Sequence, residues 1–135
     1  VRLVRDNQRA RDIVFDITGG YPPERMSGFL VVDEGDMIRG VVVLSNYTKG
    51  ANVDMSGIGH GCWTVPVIRE LARICFDFFG CRRVSAKTRK DNRAARKALK
   101  AMGFREEGKL RDFYEDGCSA IQYGLLRREQ RLVRL

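Results

Sequence analysis

Apolar residues recur at intervals of three and four between Arg5 and Thr18, at Ala10, Ile13, Val14 and Ile17. This spacing predicts one amphipathic helix, ended by Gly19-Gly20 and followed by a loop at Tyr21-Pro22-Pro23. The pattern then changes to β-branched apolar runs. Gly28 to Asp33 and Met37 to Ser45 flank Glu34-Gly35-Asp36 and read as a hairpin of two largely buried strands. After a polar break at Asn46 to Gly50, Ala51 to Ile58 predicts a third strand, so residues 28–58 form an antiparallel meander.

Helical spacing returns after Gly57-Ile58-Gly59-His60-Gly61-Cys62-Trp63-Thr64, which has glycines at alternate positions. Thr64 is placed to cap a helix and Pro66 suits its first turn. Ile68, Leu71, Ala72, Cys75 and Phe79 make its apolar stripe, Gly80 stops it, and Arg83 to Thr88 supplies a strand. Strand, crossover helix and strand predict parallel pairing with a right-handed connection. Asn92 caps or precedes another helix, with Ala95, Ala98, Leu99 and Met102 facing inward and Arg93, Arg96, Lys97 and Lys100 facing water. Gly103 ends that helix. Phe104 to Leu110 and Ser119 to Leu126 read as strands about a Glu115-Asp116-Gly117 turn, and Arg127 to Leu135 as a basic tail or short helix. The sum is an α+β domain over residues 1–135, with a mixed, mostly antiparallel central sheet of about six strands flanked by helices.

With 44% hydrophobic and 31% charged residues, a chain of 135 residues buries one sizeable core. No apolar run approaches the ~20 residues that span a bilayer. Alternating Arg and Asp occupy the N-terminal stretch where a secretory signal would be apolar, so a soluble, cytoplasmic protein without membrane contact is expected. Four cysteines, Cys62, Cys75, Cys81 and Cys118, lack C-x-x-C spacing and are expected as reduced thiols; no zinc site fits them. The net charge of +8 favours anionic partners. It is compatible with a solvated surface, with a polyanionic cofactor, or with RNA, ribosome or acidic-protein binding, although no basic run is interleaved with aromatics as a nucleic-acid platform would be.

The run Asp91-Asn92-Arg93-Ala94-Ala95, followed by Ala101-Met102-Gly103-Phe104-Arg105-Glu106-Glu107-Gly108, resembles the C-terminal half of the GNAT superfamily of acyl-CoA-dependent N-acetyltransferases. The likeness is nearest to its RimJ/RimL-like branch and phage-encoded relatives. Arg83-Val84-Ser85-Ala86 stands where that branch ends a strand, Asn92 stands at its Asn, and a weaker likeness runs from Gly28 to Arg128. The resemblance implies acetyl-CoA as co-substrate and an amine acceptor; the sequence leaves monomer and dimer both open. The resemblance also implies a cofactor seat from Met55, Ser56, Gly59, His60, Gly61, Cys62, Trp63 and Thr64, with Asn92 on the pantetheine arm and Arg96 toward the phosphates. Physically, a glycine-rich turn feeding a helix N-terminus offers bare amides and a positive dipole end to a pyrophosphate. This turn lacks the leading Arg or Gln of the family pattern and its glycines are shifted by about one.

Acyl transfer to an amine requires the amine neutral, a donor at the developing oxyanion and a proton for the departing thiolate. Asp54, on the strand before the turn, is the candidate base. His60, the single histidine, is a second. The family's hydroxyl proton donor has Leu99 in its place, which leaves Tyr114 or water for that step. Cys62 as an acyl-carrying nucleophile lacks an ordered triad. Against the enzyme stands another reading, a degenerate acyl-CoA fold whose basic surface engages nucleic acid or a protein.

Overall fold

The predicted meander is the spine of the sheet. The computed structural model describes residues 1–135. Its strands are β1 (Arg2–Arg5), β2 (Met26–Val32), β3 (Ile38–Thr48), β4 (Asn52–Gly59), β5 (Arg83–Arg89), β6 (Arg105–Leu110) and β7 (Ala120–Leu126). They form one seven-stranded sheet in the order β1-β2-β3-β4-β5-β7-β6. All neighbours are antiparallel except β4 and β5. The helices are α1 (Asn7–Thr18), α2 (Val65–Arg73), which runs on into a π-helical turn at Ile74–Phe78, and α3 (Arg93–Ala101). The α+β class and the mixed, mostly antiparallel sheet agree with the sequence reading.

Several boundaries differ for identifiable reasons. Arg5 lies in edge strand β1, absent from the six-strand expectation, and the helix begins after Asp6, whose carboxylate accepts from the Arg9 amide at 2.9 Å. The hairpin turn is held by Asp33, which accepts from the Gly35 and Met37 amides at 2.9 and 3.0 Å and receives Arg39 Nε at 2.8 Å. The π turn advances the inward face, so Phe76 is wholly buried while Phe79 sits at intermediate depth. Residues 127–135 form no helix. Leu132 and Val133 pack against the main core, and Gln130 Oε1 accepts from both of their amides at 2.9 and 3.0 Å.

Alternation along the strands separates two apolar layers. Val42, Leu44, Val53, Val84 and Tyr123 meet Leu71, Phe76 and Leu99 on the face covered by α2 and α3. Leu30, Val32, Val41 and Val43 meet Ala10 of α1 on the other face. α1 lies close to β2: a Cβ at Gly28 would stand 2.5 Å from Ala10 Cβ, and the Gly28 amide donates to Asn7 Oδ1 at 2.8 Å.

Candidate active site

The sheet opens in its middle. β4 and β5 pair only from Asn52↔Arg83 to Met55↔Ala86, whereas β4 stays with β3 as far as Gly59 and β5 stays with β7 as far as Arg89. Beyond Met55 and Ala86 the strands diverge, and their facing edges carry amide and carbonyl groups that no neighbouring strand takes. A cleft of about 720 Å³ fills this opening. Met55, Leu71, Ala86, Ala95, Leu99 and Met102 line its apolar part toward α2 and α3. Ile17, Ile58, Lys87 and Arg89 line it on the side where α1 ends, because Ile58 pairs with Val41 of the α1 layer and Lys87 alternates with Ala86 of the other face.

The glycine-rich turn from β4 to α2 borders the cleft through Gly57, Gly59, His60, Gly61 and Trp63. Packing dictates part of its composition. A Cβ at Gly57 would stand 3.2 Å from the Trp63 ring, and one at Gly59 would stand 2.9 Å from Arg39 O and from Cys62 Sγ. Gly59 and Gly61 also have φ of +154° and +67°, which favour glycine. Thr64 has the extended backbone of an N-cap, but its side chain makes no capping hydrogen bond and its Oγ1 is buried without a partner. The first-turn amides of α2 therefore lack a side-chain acceptor, and Pro66 supplies none to satisfy. Across the cleft Asn92 caps α3, its Oδ1 accepting from the Ala95 amide at 3.1 Å. Its Nδ2 remains available to the cleft that Asn92 lines.

Of the residues expected at the cofactor seat, Met55, Gly59, His60, Gly61, Trp63 and Asn92 line the cleft, whereas Ser56, Cys62, Thr64 and Arg96 do not. Ser56 pairs with Val43 and so faces the α1 side. Cys62 is 1% exposed, its sulfur lodged against Gly40 and Gly59, and burial pushes its thiol pKa up, opposite to the need of a nucleophile. Arg96 does not simply face water. It donates to Tyr123 Oη at 3.1 Å and to Lys90 O at 3.0 Å and pairs with Glu106, so its guanidinium is directed into the protein.

The expected bases and acid are also displaced. Asp54 faces the α1 side, paired with Ser45 and Ser85, and its two oxygens accept from Asn46 Nδ2 at 2.8 Å and Asn52 Nδ2 at 3.0 Å. It does not line the cleft; His60 does. Tyr114 lies in the β6–β7 connection under the Arg89 guanidinium, 5.1 Å from its ring centroid, and burial raises its pKa. Leu99 lines the cleft and is buried in the main core, so the place of the family's hydroxyl is filled with hydrocarbon. One residue passed over in the sequence, Lys87, belongs here as well. It sits on β5 with its ammonium 5.0 Å from the ring centroid of Phe113 in the β6–β7 connection, a contact between segments far apart in sequence.

No family model and no curated protein matches the chain. Solved structures do, and acetyltransferases are among those that share its fold. A mutant of the spermidine N-acetyltransferase SpeG from Vibrio cholerae superposes with a TM-score of 0.78 at 14% identity, over 93% of this chain and 95% of that one. The ribosomal-protein-S5-alanine acetyltransferase from Vibrio fischeri gives 0.66 at 19% identity, over 78% and 64%. A probable acetyltransferase gives 0.64 at 24% identity, over 77% and 62%. The mixed sheet and the helix placement are thus those of the GNAT fold. No helix is long and apolar enough to cross a membrane.

Proposed function

We propose that this chain is an N-acetyltransferase that takes acetyl from acetyl-CoA and delivers it to a primary amine by direct attack in a ternary complex. The observation that carries the proposal is the divergence of β4 and β5 past Met55 and Ala86, which opens a cleft of about 720 Å³ through the sheet. An amide-bearing arm such as pantetheine fits there because the free strand edges offer it hydrogen bonds. Asn92 Nδ2 adds a side-chain donor. The glycine turn and the uncapped first turn of α2 suit the pyrophosphate, with His60 beside it. Acetyl-CoA would supply the thioester carbon, and every binding group named belongs to this chain.

In the reaction the amine nitrogen forms a bond to that carbon, the carbonyl oxygen takes the charge, and the carbon–sulfur bond then breaks. The nitrogen gives up its proton and the thiolate receives one. Asp54 holds its oxygens on two amides away from the cleft, Tyr114 stands outside it and Leu99 has no exchangeable proton, so the thiolate takes its proton from water, and the amine gives its proton to water or to His60, the candidate base that lines the cleft. The amine enters by its neutral fraction, which is larger for an α-amine of pKa ~7.7 than for a lysine of ~10.4. The RimJ/RimL-like placement rests on the Gly103 to Gly108 run. A ribosomal-protein-S5-alanine acetyltransferase is among the solved structures that share the fold.

Calorimetric titration with acetyl-CoA and CoA tests the proposal. Micromolar binding of both is expected, and no heat at millimolar ligand would overturn it. A pH–rate profile of Asp54→Asn parallel to that of the wild type is the expected companion result. A deficit that shrinks toward the amine pKa would instead make Asp54 the base.

A further inference from the structure

The charged groups around the cleft bear on the chemistry of the acceptor. No Asp or Glu is among the residues that line it, and its ionisable lining consists of His60, Lys87 and Arg89. A polyamine, the acceptor named for the spermidine acetyltransferase that shares this fold, would enter this cleft without a carboxylate to meet its second and third charges. Asp54 lies on the same face, but both its oxygens are taken by Asn46 and Asn52. Asp16, beside the lining residue Ile17, is exposed and outside the cleft.

The two strand cations differ in what holds them. Arg89 is already neutralised by Asp91 at 3.1 Å and Asp116 at 2.6 Å. Lys87 has no carboxylate partner, and its ammonium is held over the face of Phe113. Lys87 is also the first β5 residue beyond the last β4 pairing, Met55↔Ala86, which places it at the fork of the strands. It alternates to the α1 face, opposite the apolar wall of Leu71, Ala95 and Leu99. A ligand reaching the fork from the α1 side therefore meets one unneutralised ammonium, oriented by an aromatic ring and unopposed by any acid.

We infer that the acceptor is an amine that also carries a carboxylate or a phosphate, and that the Lys87 ammonium binds this anionic group while the amine reaches the thioester. The inference rests on the transferase reading above. Arg89, fixed by its two aspartates and the Tyr114 ring, shapes the site and adds little charge to it.

The test compares amines of similar length that differ in charge at the far end: γ-aminobutyrate, O-phosphoethanolamine, butylamine and putrescine. The rate is followed as thiol release from acetyl-CoA. The carboxylate or the phosphate amine is expected to exceed butylamine in kcat/KM by about fivefold, the scale of one part-exposed ion pair, with putrescine below butylamine. The carboxylate and phosphate arms separate the two sources of anionic charge. Lys87→Gln should bring the anionic-to-neutral ratio toward one, and Lys87→Glu should invert the order. Putrescine equal to or better than butylamine, or a preference that survives Lys87→Gln, overturns the inference. Bound acetyl-CoA with no turnover of any amine overturns the transferase reading instead. Binding of the same amines to the CoA-loaded protein, followed by saturation-transfer NMR, then decides the charge question: the same order supports the inference and equal binding refutes it.

Discussion

Two strand-to-helix junctions face each other across the cleft, and they are built differently. At β5–α3 the side chain of Asn92 accepts from the Ala95 amide, so the helix end is satisfied from within the chain. At β4–α2 the corresponding residue, Thr64, makes no such bond and its hydroxyl is buried alone. The β5–α3 junction needs nothing further, and its spare amide group can serve a ligand. The β4–α2 junction leaves helix donors without an acceptor next to a glycine turn, a state that an anion completes. An unmet hydrogen-bonding requirement in a folded chain is thus a more informative site marker than a residue type.

The largest expected effect comes from filling the uncapped junction. Gly59→Ala places a Cβ 2.9 Å from Arg39 O, Cys62 Sγ and Gly40 Cα at a φ of +154°. A loss of about 3 kcal/mol in urea denaturation is expected from overpacking and backbone strain together. Gly61→Ala has open space around it and meets only the φ penalty, about 1 kcal/mol. Equal losses would show that the turn is not packed against β3 as described.

Next in size is the capped junction. Asn92→Ala should cost about 1 kcal/mol of stability from the lost cap. It should also weaken acetyl-CoA by about 1–2 kcal/mol through the lost Nδ2 donor. A stability loss with unchanged calorimetric affinity would confine Asn92 to capping. Thr64→Val is the contrasting variant. Its hydroxyl has no partner to lose, so thermal stability should stay within about 0.5 kcal/mol of wild type; a drop as large as that of Asn92→Ala would erase the difference between the junctions.

The smallest effect is electrostatic. Hydrogen bonds from Arg89 hold the Asp91 and Asp116 carboxyls below their ordinary pKa. Their contribution to stability is therefore present above the unfolded carboxylate pKa and is lost as pH falls through the lower folded values. The advantage in Tm of wild type over Arg89→Met should shrink on acidification from about pH 5 to about pH 2. A difference that is constant over that range would mean that Arg89 acts through packing on Tyr114 alone.

The periodic segments were the legible part of the fold. The α1 stripe as far as Val14, the α2 and α3 stripes, the hairpin and the parallel crossover follow from apolar spacing and from glycine and proline stops. Ile17, at the end of the α1 stripe, is 60% exposed at the cleft instead of packed on the sheet. β1 was not legible because two apolar residues between Arg2 and Arg5 give too few alternations to distinguish a strand from a helix start. The π turn was hidden because Cys75 and Phe79 keep ordinary helical spacing, while the extra residue in the turn brings Phe76 inward. At the site, Asn92 and the glycine turn were visible as local motifs. The occupation of Arg96 by Tyr123 and the meeting of Lys87 with Phe113 depend on which strands become neighbours, and local spacing does not encode that.

The four residue pairs that join β4 to β5 are the only strand contact between the β1–β4 and β5–β7–β6 parts of the sheet. Mechanically the sheet is two plates on a short hinge, with a slot beyond it. An extended guest lying in the slot would bond to both plates and act as a splint. Amide exchange would then slow along Gly57 to Gly59 of one plate and Lys87 to Arg89 of the other at the same time, even though these edges do not touch. Occupancy of the slot, more than anything within either half, would set how far the two plates breathe independently.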